Sequence, residues 1–152
     1  QFLLEQGKTV MAHNPHVCLM MIDIDRLEEI DNVQGHLIAD HVLHIIGQFL
    51  INSFSKGVTV ARFVGKKFTI LMPDCALEKG KTIAENLRRK VMELKPENLD
   101  VTVSIGLTSS EGVADTNLTA LIKDAESALR AAQKEGCNRT CLCITSKNIA
   151  PA

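Results

Sequence analysis

The chain has 152 residues, 45% of them hydrophobic, with 18 acidic side chains against 17 basic ones and a formal net charge of -1. That length suits one domain burying roughly two-thirds of its unfolded surface. The charge balance argues against general nucleic-acid binding, and the absence of Trp and Tyr removes the usual platforms for base stacking. The longest apolar run, Val17 to Ile22, is far too short to cross a bilayer, so no membrane contact is expected from this segment. The first residue is Gln1 rather than Met, as expected of a piece of a longer protein.

Residues 1–15 read as a lead-in or linker helix, with Phe2, Leu3, Leu4, Val10 and Met11 in a weak amphipathic pattern broken at Asn14-Pro15. Val17 to Ile24 is nearly all apolar, which predicts a central strand buried on both faces. Its end carries two carboxylates, Asp23 and Asp25. A short polar segment with Gly35-His36 follows, then a helix from about Leu37 to Phe54, with Ile38, Val42, Ile45, Ile46 and Phe49 inward and Asp40, His44 and Gln48 on the wet side.

Val58, Val60 and Arg62 alternate on one side of Gly65, and Phe68, Ile70 and Met72 on the other, so residues 58–72 predict a β-hairpin. Two like charges, Lys66 and Lys67, sit at its tip. A second helix is expected from about Ala76 to Leu94, with Ile83, Ala84, Leu87 and Val91 buried, then a strand over Val101 to Leu107. Leu118, Leu121, Ile122, Ala125, Ala128, Leu129 and Ala132 mark a third helix that stops at Gly136. Residues 139–145 form a last strand, and 147–152 a tail. This order implies an α+β domain over residues 16–146, built on a mixed sheet with helices packed against it.

The five cysteines lie in apolar stretches, and the spacing of Cys137, Cys141 and Cys143 matches no zinc ligand set. Reduced, buried thiols of a cytoplasmic protein are the expectation. His41 and His44 lie one helical turn apart, a spacing open to metal but more often a solvated face.

The blocks MMIDIDRLEEIDNVQGHLIADHVL, ARFVGKKFTILMPD, VTVSIGL and DAESALRAAQKEGCNR resemble, in order and spacing, the GGDEF family of diguanylate cyclases, over roughly residues 16 to 145. The resemblance implies a mostly antiparallel five-stranded sheet surrounded by helices, like the nucleotidyl cyclases and the polymerase palm. Active members condense two GTP molecules into cyclic di-GMP with a divalent metal. Val64, Gly65, Lys66, Lys67 and Phe68 occupy the family's signature, so two lysines stand where the family keeps two acids. The family's metal ligands match only at Asp23 and the Ile24 carbonyl.

The resemblance also places Glu28, Gln133 and Cys137 at phosphate-binding Lys or Arg positions. It puts Asp31 and Asp40 at the guanine contacts, and Ser55, Lys56, Gly57 and Val58 at a product-inhibition motif that they do not match. Phe68, Gly106 and Asn138 keep positions that hold the fold. The implied protein is a degenerate, catalytically inactive GGDEF domain in a larger bacterial cyclic di-GMP signalling protein. It has a regulatory or interaction role, flanking sensory and EAL phosphodiesterase domains, self-association, and no cofactor. Asp31, Asp40, Lys66 and Lys67 are the candidate nucleotide contacts. Alternatives are a metal-independent receptor for GTP or cyclic di-GMP, and a weak nucleotide hydrolase. Asp23 and Asp25 are either the remnant of a metal site or, the favoured reading, ion-pair partners of Lys66 and Lys67.

Overall fold

A computed structural model describes residues 16–63, 65–111, 117–145 and 148–152; the lead-in over 1–15 and the signature residue Val64 lie outside them. Strand β1, Val17–Ile24, is fully buried except near its end, as a strand apolar on both faces must be. Helix α1, Leu27–Gln34, and helix α2, His36–Asn52, follow in direct succession and are separated by Gly35 at φ 96. The hairpin is β2, Thr59–Arg62, and β3, Lys67–Pro73, turned at Gly65 with φ 79. Helix α3, Leu77–Leu94, leads to β4, Val103–Ser109; α4, Leu118–Lys134, leads to β5, Thr140–Thr145, and β6, Asn148–Pro151.

The strands lie in the order β2-β3-β1-β4-β5-β6. Every neighbouring pair is antiparallel except β4 with β5. The sheet is thus mostly antiparallel, as expected, but has six strands rather than five. The sixth comes from residues 148–151, read above as a tail, which pair along β5.

Each face of the sheet has its own core. Met20, Ile22, Ile70 and Ile105 point toward α2 and α3, meeting Val42, Ile46, Ala84 and Leu87. Leu19, Met21 and Leu71 point the other way, onto Leu121, Ala125 and Leu129 of α4. Cys141 and Cys143 pack on Ala128 and Ala132 of the same helix. Helix α4 sits closest at Gly106, where an added Cβ would lie 2.1 Å from the Ala125 carbonyl oxygen. Only glycine permits that approach. Among the described residues no helix is long and apolar enough to cross a membrane.

Helix α1 falls where a polar segment was expected. Of its eight residues only Leu27 is buried, with Ile30 partly covered, so its apolar stripe is one turn long. Val33, the next residue in register, is 78% exposed.

Candidate functional site

The end of β1, the hairpin turn and the C-terminal end of α4 border an open cavity of about 510 Å³. Strand β1 delivers Asp23, Ile24 and Asp25 to it, and Arg26, in a left-handed conformation at φ 56, turns the chain into α1, which adds Glu28. The hairpin contributes Gly65, Lys66 and Lys67, and the end of α4 with its exit turn contributes Gln133 and Cys137. Residues far apart in sequence and singled out by the resemblance therefore share one wall. Arg26 joins them although nothing in the sequence pattern marked it.

Asp25 is a structural anchor. Its carboxylate accepts from Thr102 Oγ1 at 2.6 Å, Ser104 Oγ at 2.7 Å and the Asn138 backbone N–H at 3.0 Å. These bonds tie the end of β1 to β4 and to the left-handed exit turn of α4, where Cys137 and Asn138 have φ 65 and 47. Arg88 Nη1 donates to Asn138 Oδ1 at 3.0 Å from the other side. Asn138 holds the fold through these bonds.

Asp23 faces Lys67 across the β1–β3 ladder and Ser104 across β1–β4. Its Oδ2 accepts from Gln133 Nε2 at 2.9 Å. Burial pushes the Asp23 carboxyl above the usual carboxylate range, with the Gln133 hydrogen bond and the Lys67 charge acting against it. The Cys137 thiol is likewise pushed up, by burial first and then by the Asp25 charge.

The expected ion pairs of Asp23 and Asp25 with the two lysines are not formed. Among the described residues neither Lys66 nor Lys67 has a carboxylate within 4.0 Å. The carboxylates take nearer protein donors instead. Lys66 lies in the turn and Lys67 opens β3, so only one of the pair is at the tip.

Asp31 and Asp40 are not among the residues that line this cavity. His36, the first residue of α2, lies between them, with Nδ1 3.4 Å from Asp31 Oδ1 and Nε2 3.4 Å from Asp40 Oδ2. His41 Nδ1 is hydrogen-bonded to Glu97 Oε1 at 2.7 Å, and His44 is exposed.

Magnesium is held by oxygen ligands in near-octahedral geometry. Here the wall offers the Asp23 carboxylate, already engaged by Gln133, the Asp25 carboxylate, already accepting three hydrogen bonds, and Glu28 from α1, while the hairpin offers ammonium groups with no lone pair. Among the described residues no cluster of three or more His, Cys, Asp or Glu side chains is arranged to hold a metal. The residues present do not fit a divalent cation.

A six-stranded, mostly antiparallel sheet with helices on both faces and a polar cavity at the end of its central strand defines a palm-like domain of the nucleotidyl cyclase kind. The family described as "Diguanylate cyclase, GGDEF domain" matches residues 1–139, and the chain belongs to that family, whose members act in cyclic di-GMP signalling. It is 34% identical over 125 residues to the diguanylate cyclase DgcP of Pseudomonas aeruginosa, a match covering 80% of this chain and 18% of that protein. The chain spans between 18% and 40% of the length of the first curated relatives it matches.

The fold is shared with the active GGEEF domain of a diguanylate cyclase from Vibrio cholerae, at a TM-score of 0.84 and 21% identity, covering 95% of this chain and 93% of that one. It is shared equally with the GGDEF domain of DgcB from Caulobacter crescentus, solved in complex with c-di-GMP. That likeness has a TM-score of 0.85 at 22% identity and covers 95% of this chain and 86% of that one.

Proposed function

We propose that this domain does not condense GTP and acts instead as a regulatory module of a bacterial cyclic di-GMP signalling protein. In that protein it associates with itself or with a neighbouring sensory or EAL phosphodiesterase domain on the cytoplasmic side. One observation carries the reading: Lys67 stands directly across the ladder from Asp23, with Lys66 beside it on the cavity wall. Condensation of nucleoside triphosphates depends on positive charge supplied to phosphate oxygens by a metal, and on the activation of a hydroxyl that the metal provides. A metal at the end of β1 would sit among ammonium groups. Glu28, Gln133 and Cys137 leave the same wall without the further cations that would grip a triphosphate.

The core, by contrast, is complete: both faces of the sheet are packed and Gly106 and Asn138 make the close contacts described above. A domain keeping its fold while its site loses its chemistry is one whose work is binding or transmission. The test is incubation of the purified domain with GTP and Mg²⁺ at concentrations high enough to dimerise. No cyclic di-GMP above a protein-free control is expected, and product formation overturns the reading.

A further inference from the structure

Strand β2 is the outer strand of the sheet, with β3 on one side and no described strand on the other. The Phe63 N–H donates to the Lys67 carbonyl at the turn end of the hairpin. By the alternation of an antiparallel ladder, Val60 and Arg62 then turn their N–H and C=O groups away from β3, toward the open edge. Beside that edge, β2 and α2 border a groove of about 140 Å³. Its helix side is the row Leu43, Gly47 and Ile51, spaced one turn apart, and its strand side carries Val60. Gly47 has no side chain to set against the Phe68 ring, which stands 3.3 Å from where its Cβ would lie. Ile51 is 52% exposed at the end of the row. The volume falls below the roughly 300–1,000 Å³ of small-molecule sites and suits a single apolar side chain. Arg62 and His44 are the basic residues on the rim, and no carboxylate borders the groove. Among the described residues neither has a carboxylate within 4.0 Å.

We propose that the β2 edge and this groove dock an extended, acidic segment of a partner protein, which joins the sheet as a further strand, seats one apolar side chain beside Gly47 and sets carboxylates against Arg62 and His44. An open strand edge supplies main-chain hydrogen bonds to such a segment, and pockets for its alternate side chains supply the specificity. Alternation puts residues two apart on one face, so the apolar residue that enters the groove is flanked at i−2 and i+2 by the acids. The row from Leu43 to Ile51 rises about 12 Å, and the four residues of β2 extend about 13 Å. Both lengths suit a segment of four or five residues. A second copy of this chain fits the edge less well. Antiparallel pairing of β2 with itself brings two Arg62 side chains to one seam with no carboxylate to meet them, and a basic residue on an edge strand is a common guard against such pairing. The inference rests on the proposed interaction role and names the surface that would serve it.

The test is a titration of the whole chain, followed by backbone amide NMR, with the end-blocked peptide Glu-Thr-Leu-Thr-Glu. Its shifts are expected to concentrate at residues 59–62 and 43–51 and to weaken as salt rises. The peptide Lys-Thr-Leu-Thr-Lys should bind less well, and so should the acidic peptide N-methylated at leucine, which loses the N–H that reaches β2. Arg62→Glu should weaken the acidic peptide about three- to fivefold and favour the basic one. Ile51→Asp should weaken both, and circular dichroism of the two variants separates lost affinity from lost fold. No shifts at millimolar acidic peptide, equal binding of the basic peptide, or an unchanged affinity in Arg62→Glu overturns the inference. Self-association of the chain through β2 without peptide, seen by sedimentation, overturns it in favour of a second copy. Cyclic di-GMP formed from GTP and Mg²⁺ overturns the silent-domain reading instead, and the peptide titration is read independently of it.

Discussion

Asp23 and Lys67 are direct neighbours across the β1–β3 ladder, yet the carboxylate takes its hydrogen bond from Gln133, 110 residues further along the chain. The lysine lowers the cost of the buried charge by proximity alone, and burial still outweighs it. Position 23 thus holds a carboxylate whose ionised form the fold does not favour. That is a physical property separate from any role it has toward a ligand.

The pH dependence follows from the sign. A carboxyl raised in the folded state binds more protons folded than unfolded, so its contribution is full below the unfolded value of about 3.9 and is lost as pH rises through the raised folded value. Asp23→Asn removes the ionisation while an amide oxygen remains for Gln133 to reach. The urea midpoint of the variant should exceed that of the parent at neutral pH, and the gap should close as the pH is lowered toward the unfolded value. A gap independent of pH would show that ionisation is not its source.

Loss of the Asp25 carboxylate should destabilise the fold through its hydrogen bonds. Removing its carboxylate strands two hydroxyls and the Asn138 N–H, groups that are buried or partly so. Asp25→Ala is expected to cost about 2–5 kcal/mol, and hydrogen exchange should show the loosening first at the turn 136–139. A loss confined to ligand binding, with unchanged unfolding, would reassign Asp25 to the site.

The parts of this arrangement legible in the sequence are those set by local period. Six apolar residues in a row from Val17 announced a strand covered on both faces, and α4 was plain from a stripe of seven residues on one side. Helix α1 was hidden because one buried residue makes no stripe, and β6 because four residues ending in Pro151 look like a tail until β5 offers an edge. The partners of Asp23 and Asp25 come from 77 to 113 residues away, so charge complementarity between close candidates pointed to the lysines while geometry chose neutral donors. Arg26 reaches the cavity through a left-handed backbone that no side-chain pattern announces.

Gly106 offers a sharp test of the packing. A Cβ there would meet the Ala125 carbonyl oxygen at 2.1 Å and the Leu129 amide nitrogen at 2.4 Å, both backbone atoms of α4 that have no rotamer to change. Gly106→Ala should therefore push the helix off the sheet and cost about 3 kcal/mol or more, read as a lowered melting temperature. A neutral effect would mean that α4 rides further from β4 than described.

The thiols should divide by burial. Cys18, Cys75, Cys141 and Cys143 are buried and Cys137 is half-buried. Burial, followed by the neighbouring Cys75, pushes the Cys18 thiol up to about 12, which leaves almost no thiolate to react at neutral pH. Titration of the native domain with a chromogenic disulfide should modify Cys137 first and the other four only on unfolding. Rapid native modification of Cys18 would contradict its placement in the core.

Restoring acids to the hairpin should not restore a cyclase. In Lys66→Asp with Lys67→Glu, oxygen ligands return beside Asp23, and a divalent cation gains a plausible seat. The triphosphate is not expected to gain its grip, because Glu28 still repels it and Gln133 and Cys137 still supply no charge to the cavity. Electrostatic stabilisation of developing charge is usually the largest catalytic contribution, and one missing donor commonly costs about a hundredfold or more in rate. Three deficient positions are expected to hold turnover of GTP to cyclic di-GMP below detection, even though Mg²⁺ affinity rises. Adding Glu28→Lys, Gln133→Lys and Cys137→Arg to the double variant is the informative next step. Activity that emerges only in that fivefold variant would locate the deficiency in the phosphate grip, whereas robust turnover in the double variant would place it in the hairpin alone.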